Sequence, residues 1–203
     1  IRNGEPIARA FGKQKPALDP WPDRARCHVR YGWGPWATLG MPRTCDFDIT
    51  LYLEGATLRE AVPAWQASPY EEDRRDRVVE QDNTMCRWQS FTAREGALAE
   101  DPSKRMYFDI VGPASARVRL EVAEPAPITI EKTLGELAQN SETEFTGEFT
   151  TENVQIDRLV LPESYEASME IEDEGSGDGT DYYYVRVTQA NGQMAWTSPV
   201  WVG

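Results

Sequence analysis

The sequence holds one histidine, His28, and most enzymatic chemistry would have to pass through it. It stands in Arg26-Cys27-His28-Val29-Arg30, a strand-like run in which Cys27 and Val29 face inward and His28 turns out with the arginines. Zinc and binuclear hydrolase sites gather several His, Cys or carboxylate ligands. Cys27 and His28, on opposite strand faces, do not meet that need. A Ser-His-Asp triad would also require His28, and the chain has neither a G-x-S-x-G elbow nor a Walker A loop. With 34 acidic residues some carboxylate pair always exists, but no pattern singles one out for glycoside hydrolysis. The chain reads as lacking a catalytic site, and nothing in it calls for a cofactor.

Three weaker constellations remain. The segment 173–181 (Asp-Glu-Gly-Ser-Gly-Asp-Gly-Thr-Asp) is acidic and Gly-rich, so Asp173, Asp178 and Asp181 are the candidates for calcium, which prefers oxygen ligands on a bendable loop. The spacing does not match an EF-hand, and a solvated hairpin loop is the alternative. Trp33 and Trp36, in Gly32-Trp33-Gly34-Pro35-Trp36, and Trp65 offer rings on which a sugar could stack, or which cap the core between loops. Arg74, Arg75 and Arg77 supply guanidinium forks for phosphate or carboxylate, with Arg75 the foremost. Against this stand their neighbours Glu71, Glu72, Asp73 and Asp76, which suit a solvated charged segment.

The elements that would position these groups are strands. Cys45, Phe47, Ile49, Leu51 and Leu53 alternate with polar residues, as do Met106, Phe108 and Ile110, then Val118, Leu120 and Val122, then Ala167, Met169 and Ile171. Period two with one polar face predicts antiparallel sheets. Asn191-Gly192 predicts a hairpin between 182–189 and 194–202. The pattern predicts an all-β, antiparallel β-sandwich of roughly ten to twelve strands. Thr133-x-x-Glu136 is a capping box that starts one short helix. The segment 71–81 reads either as a short helix or as a loop. One domain spans 1–203, with a possible sub-boundary near 124–127, where Pro125 and Pro127 stand.

The net charge of −13 repels phosphate backbones and anionic lipid, which disfavours nucleic acid and anionic membrane surfaces as partners. No apolar run reaches the roughly 18 residues of a spanning helix, so no membrane insertion is expected. Cys27, Cys45 and Cys86 are too few and odd in number for a disulfide scaffold; buried thiols are expected, with a Cys27–Cys45 bridge the alternative. Starting at Ile1 without Met, the chain reads as a fragment, and no compartment is indicated.

The C-terminal stretch, Asp181-Tyr182-Tyr183-Tyr184-Val185-Arg186-Val187 followed by Ala195-Trp196-Thr197-Ser198-Pro199-Val200-Trp201-Val202, resembles the closing hairpin of a bacterial family of large uncharacterised proteins. That family is related to the PHP-type metal-dependent phosphoesterases. Segments 133–137 and 154–165 are similar to its penultimate part. The likeness covers the last third of the chain well and the rest loosely, and ending at Gly203 matches a natural C-terminus. The resemblance implies a C-terminal β domain that packs against an upstream catalytic domain of the same chain, where the histidine- and aspartate-rich metal site would lie. None of those ligands falls on a position of this sequence. The expected function is therefore that of a non-catalytic accessory domain. The alternative is a carbohydrate- or calcium-binding sandwich with a glycan or other small-molecule ligand.

Overall fold

The computed structural model describes residues 1–11, 18–32, 44–65, 75–93, 103–147, 152–165, 168–177, 179–188 and 194–203. The chain forms two compact units, one of Lys15–Tyr165 and one of Ile1–Gln14 with Glu166–Gly203.

The Lys15–Tyr165 unit is an antiparallel sandwich. Its first sheet runs β3 (Thr57–Ala64), β6 (Lys104–Val111), β1 (Arg24–Tyr31), β10 (Asn153–Ile156) and β9 (Glu142–Phe145). The second runs β4 (Arg77–Gln81), β5 (Met85–Ala93), β2 (Thr44–Glu54), β7 (Arg117–Glu124) and β8 (Ile128–Thr133). Alternation explains the burial. In β1, Ala25, Cys27, Val29 and Tyr31 are buried while Arg24 and Arg26 are exposed; Met106, Phe108 and Ile110 do the same in β6, and Val118, Leu120 and Val122 in β7. The two inner faces meet through aromatic rings. Trp88 of β5 lies 5.6 Å from Phe108 and 6.3 Å from Tyr31, and Phe47 of β2 lies 5.1 Å from Tyr31 (centroid to centroid). Such tilted contacts add to the hydrophobic term that holds sheet on sheet.

Two four-residue helices close the unit. Thr133 caps α1 (Leu134–Leu137): its hydroxyl accepts from the Glu136 amide, and the Glu136 carboxylate accepts from the Thr133 amide at 2.8 Å. Leu134 and Leu137 are buried beneath it. The second helix, α2 (Pro162–Tyr165), starts on a proline, which suits a first helical position that needs no N–H acceptor. Residues 125–127 form the connection between β7 and β8, which pair directly, Val122 opposite Ile128.

In the other unit, β11 (Asp181–Tyr183) pairs with β14 (Val200–Val202), and β12 (Arg186–Thr188) pairs with β13 (Met194–Trp196). Residues 1–3 lie along the free side of β11, the Asn3 amide donating to the Tyr182 carbonyl and the Tyr184 amide to the Ile1 carbonyl. The expected Asn191-Gly192 turn lies outside the described residues.

The all-β class holds, and three local expectations are corrected. The chain has fourteen described strands and two short helices, because the C-terminal hairpin divides into two short ladders. Segment 71–81 is neither helix nor loop over its second half: Arg77–Gln81 is an edge strand with all five residues exposed. Met169 and Ile171 sit in no strand and are exposed, since alternation without a hydrogen-bonding neighbour does not make a sheet.

Candidate functional site

At one end of the sandwich, β1, β3 and β5 finish while β4 and β6 begin. Trp65 and Arg75 both belong to this end; Trp33, Trp36 and Arg74 lie outside the described residues. The Trp65 indole donates to the Tyr31 hydroxyl at 2.9 Å, and burial raises the Tyr31 phenol above its ordinary pKa. The Arg75 guanidinium lies 3.6 Å over the Phe91 ring and 3.7 Å from Asp46. Lys104 sits 3.9 Å from the centre of that same ring and 2.6 Å from Asp76, which also accepts from the Ser90 hydroxyl at 2.6 Å. Arg75 is thus held by an aromatic face and a carboxylate, which is what a positioned structural cation does. Lys104 and Asp76 are both largely shielded. Removing one partner leaves a shielded, uncompensated charge, so Lys104→Met should lower stability by about 3 kcal/mol, read as a shift of the urea midpoint.

Asp173 and Asp181 come together on one short stretch of the smaller unit; Asp178 lies outside the described residues. A single Arg2 nitrogen, Nη1, donates to both oxygens of Asp173, at 3.0 and 2.8 Å, and Asp173 also accepts from the Tyr183 hydroxyl at 2.7 Å. Asp181 accepts from the Ser176 amide at 2.7 Å, its hydroxyl at 2.6 Å and the Asn3 side-chain amide. The carboxylates are turned to N–H and O–H donors, and these bonds tie residues 2–3 to 173–183. Among the described residues no group of three or more His, Cys, Asp or Glu side chains is placed to share a metal ion.

The same bonds hold both carboxyls below their ordinary pKa, Asp173 chiefly through Tyr183 and Asp181 chiefly through Ser176. A folded pKa below the unfolded one stabilises above the unfolded value, near 4, and that contribution is lost as the pH falls through the folded value. Lowering the pH from about 5 to 3 should therefore release the Ser176 amide, seen as loss of its hydrogen-exchange protection, before β1 and β6 lose theirs.

His28 lies half-buried on the outer face of β1, edge-on to Tyr107 at 4.4 Å. Burial lowers its pKa, against the pull of Asp157. Cys27 faces the core, its thiol pushed up to about 12 by burial. No disulfide joins the three cysteines; Cys27 and Cys86 are buried and Cys45 partly so.

Two features escaped the sequence reading. On the outer face of the second sheet lies a shallow groove of about 350 Å³, with Thr50 and Thr129 among the lining residues. Arg87 forks onto Asp48 there at 2.9 and 2.7 Å, and Tyr52 and Glu121 also line it. These are outward positions of strands, which the alternation marks only as polar. The other feature is the apolar exposure of the C-terminal ribbon. Val185, Val187, Met194, Trp196, Val200, Trp201 and Val202 are all exposed, Trp196 at 58% and Trp201 at 64%. Tyr182 and Trp201 face each other across β11 and β14, their rings 5.1 Å apart.

The fold and these surfaces define an all-β protein with a closed sandwich and an apolar ribbon, and no described helix is long and apolar enough to cross a membrane. No protein-family model, curated protein or solved structure matches the chain.

Proposed function

We propose that this chain is a non-catalytic accessory β domain that packs, through its C-terminal ribbon, against a preceding metal-dependent hydrolase domain of the same polypeptide. The observation that carries the reading is the ribbon itself. Every buried apolar residue that can be described lies between Ala25 and Leu161, and none belongs to the smaller unit. A unit with no buried apolar side chain among its described residues, and with ten exposed large apolar ones of which seven lie in 185–202, gains most by burying them against a partner. Scattered exposed apolar residues are ordinary, but these seven converge on two short paired ladders. The acidic run Glu170, Glu172, Asp173, Glu174 beside them favours a partner face with a basic rim. The catalytic nature of the partner follows from the likeness of the C-terminal stretch to the PHP-related family.

The experiment is co-expression. The coding sequence preceding Ile1 should specify a domain rich in His and Asp. Produced as a separate polypeptide, that domain should co-elute with residues 1–203 and hydrolyse phosphoesters that residues 1–203 alone leave untouched. A preceding sequence without such a domain, or separate elution of the two, overturns the proposal.

A further inference from the structure

The groove on the outer face of the second sheet is built by strand register. Arg87 of β5 stands opposite Thr50 of β2, Thr50 opposite Glu121 of β7, and Glu121 opposite Thr129 of β8. Four side chains from four strands thus form one row across the sheet, about 4.8 Å apart from strand to strand. In order they are a pure donor, a hydroxyl, a pure acceptor and a second hydroxyl. Thr50 is buried although it turns away from the core that Ile49 and Leu51 enter, so it lies in the floor of the groove. Among the described residues, the hydroxyls of Thr50, Thr129 and Tyr52 make no hydrogen bond. The β2–β7 register also slips here. Asp48 faces Glu124 and Ile49 faces Val122, which leaves Ala123 over. A bulge of this kind bends its strand, and Ala123, Pro127 and Ile128 give the groove an apolar wall. The charges in the groove are already paired. Asp48 accepts from the Arg87 fork and from Gln89 at 2.9 Å, and Glu121 accepts from Arg119, whose guanidinium lies 4.6 Å over the Tyr52 ring.

We propose that this groove binds a neutral oligosaccharide along the row Arg87, Thr50, Glu121, Thr129. Sugar hydroxyls both donate and accept, and the row offers the two roles in turn. Arg87 and Glu121 supply the stronger, charge-assisted bonds, and the apolar wall receives the C–H faces between the hydroxyls. Paired charges hold no ion, and the net charge of −13 does not repel a neutral ligand. A volume of about 350 Å³ lies in the range of small-molecule sites. The site uses none of the tryptophans that the sequence offers for stacking on a sugar. It lies wholly in the Lys15–Tyr165 unit and is independent of the docking ribbon and of the partner proposed for it.

The test is titration of the whole nitrogen-labelled chain with cellotriose, maltotriose, xylotriose and triacetylchitotriose, read by backbone amide shifts. A shallow groove gives about millimolar affinity, so about 20 mM of a recognised trisaccharide should saturate the response. The amides of Thr50, Arg87, Glu121 and Thr129 should move most, while those of β1 and β6 in the other sheet stay in place. Thr50→Val and Thr129→Val keep the branched shape that suits a strand and remove one hydroxyl each. Each should weaken binding about fivefold and leave the amide spectrum away from the groove unchanged. Sodium phosphate and calcium chloride at the same concentration should give no saturating shift at the four amides. A saturating shift with one trisaccharide assigns the type of sugar. No saturating shift with any of the four, shifts centred outside the groove, full affinity in both variants, or a saturating response to either salt overturns the site.

Discussion

Trp88→Ala should cost about 3–5 kcal/mol of unfolding free energy, the range for truncating a large buried aromatic. Trp88 is fully buried and is the largest such side chain described. It belongs to β5 of the second sheet yet its ring reaches Tyr31 and Phe108 of the first. Its loss therefore opens a cavity between the sheets and removes two ring contacts at once. Small domains have only about 5–15 kcal/mol in total, so the variant should lose about a fifth or more of its urea midpoint. Trp88→Phe keeps a ring between Tyr31 and Phe108 and should cost visibly less. Equal costs for the two variants would mean that the ring contacts contribute little beyond filled volume.

Trp196→Asp and Trp201→Asp act on association in the same way that Trp88→Ala acts on stability. Interface energy concentrates in a few aromatic anchors, each worth about 2 kcal/mol or more, or roughly thirtyfold in affinity. If the ribbon docks as proposed, either variant should weaken co-elution with the preceding domain by at least about thirtyfold in titration calorimetry. The two effects need not add. Neither ring belongs to the sandwich core, so the urea midpoint of the sandwich should stay within experimental scatter. Full affinity in both variants would move the interface away from the ribbon.

The part of the fold that was legible is the part where one strand face is buried. β2, β6 and β7 show period two because inward positions exclude water and outward ones do not, and the Thr133 capping box is a local signal that does not depend on tertiary context. Segment 77–81 was illegible for the converse reason: an edge strand without a buried face leaves no period to read. Met169 and Ile171 misled because alternation describes a strand's faces but not its neighbours. Arg75 reads from the sequence either as a fork for an anion or as part of a solvated charged segment, and its neighbours Phe91 and Asp46 come from other strands, which spacing does not show. The row of Arg87, Thr50, Glu121 and Thr129, like the pairing of residues 1–3 with β11, depends on register between distant segments. Spacing along the chain carries no trace of either.

That last pairing also fixes an order in time. The Tyr182 amide donates to the Asn3 side chain across 179 positions of sequence. Closing so long a loop in an unfolded chain is entropically costly, and the cost grows with the logarithm of its length. Contacts of high sequence separation are slow to form for the same reason. Once residues 15–165 have collapsed into their sandwich, most of that loop is no longer free chain, and the ends search a far smaller volume. The pairing of residues 1–3 with β11 is thus a latch whose closure becomes easier once the sandwich exists. A lesion in the sandwich would delay the pairing of residues 1–3 with β11 without touching any of the residues that pair.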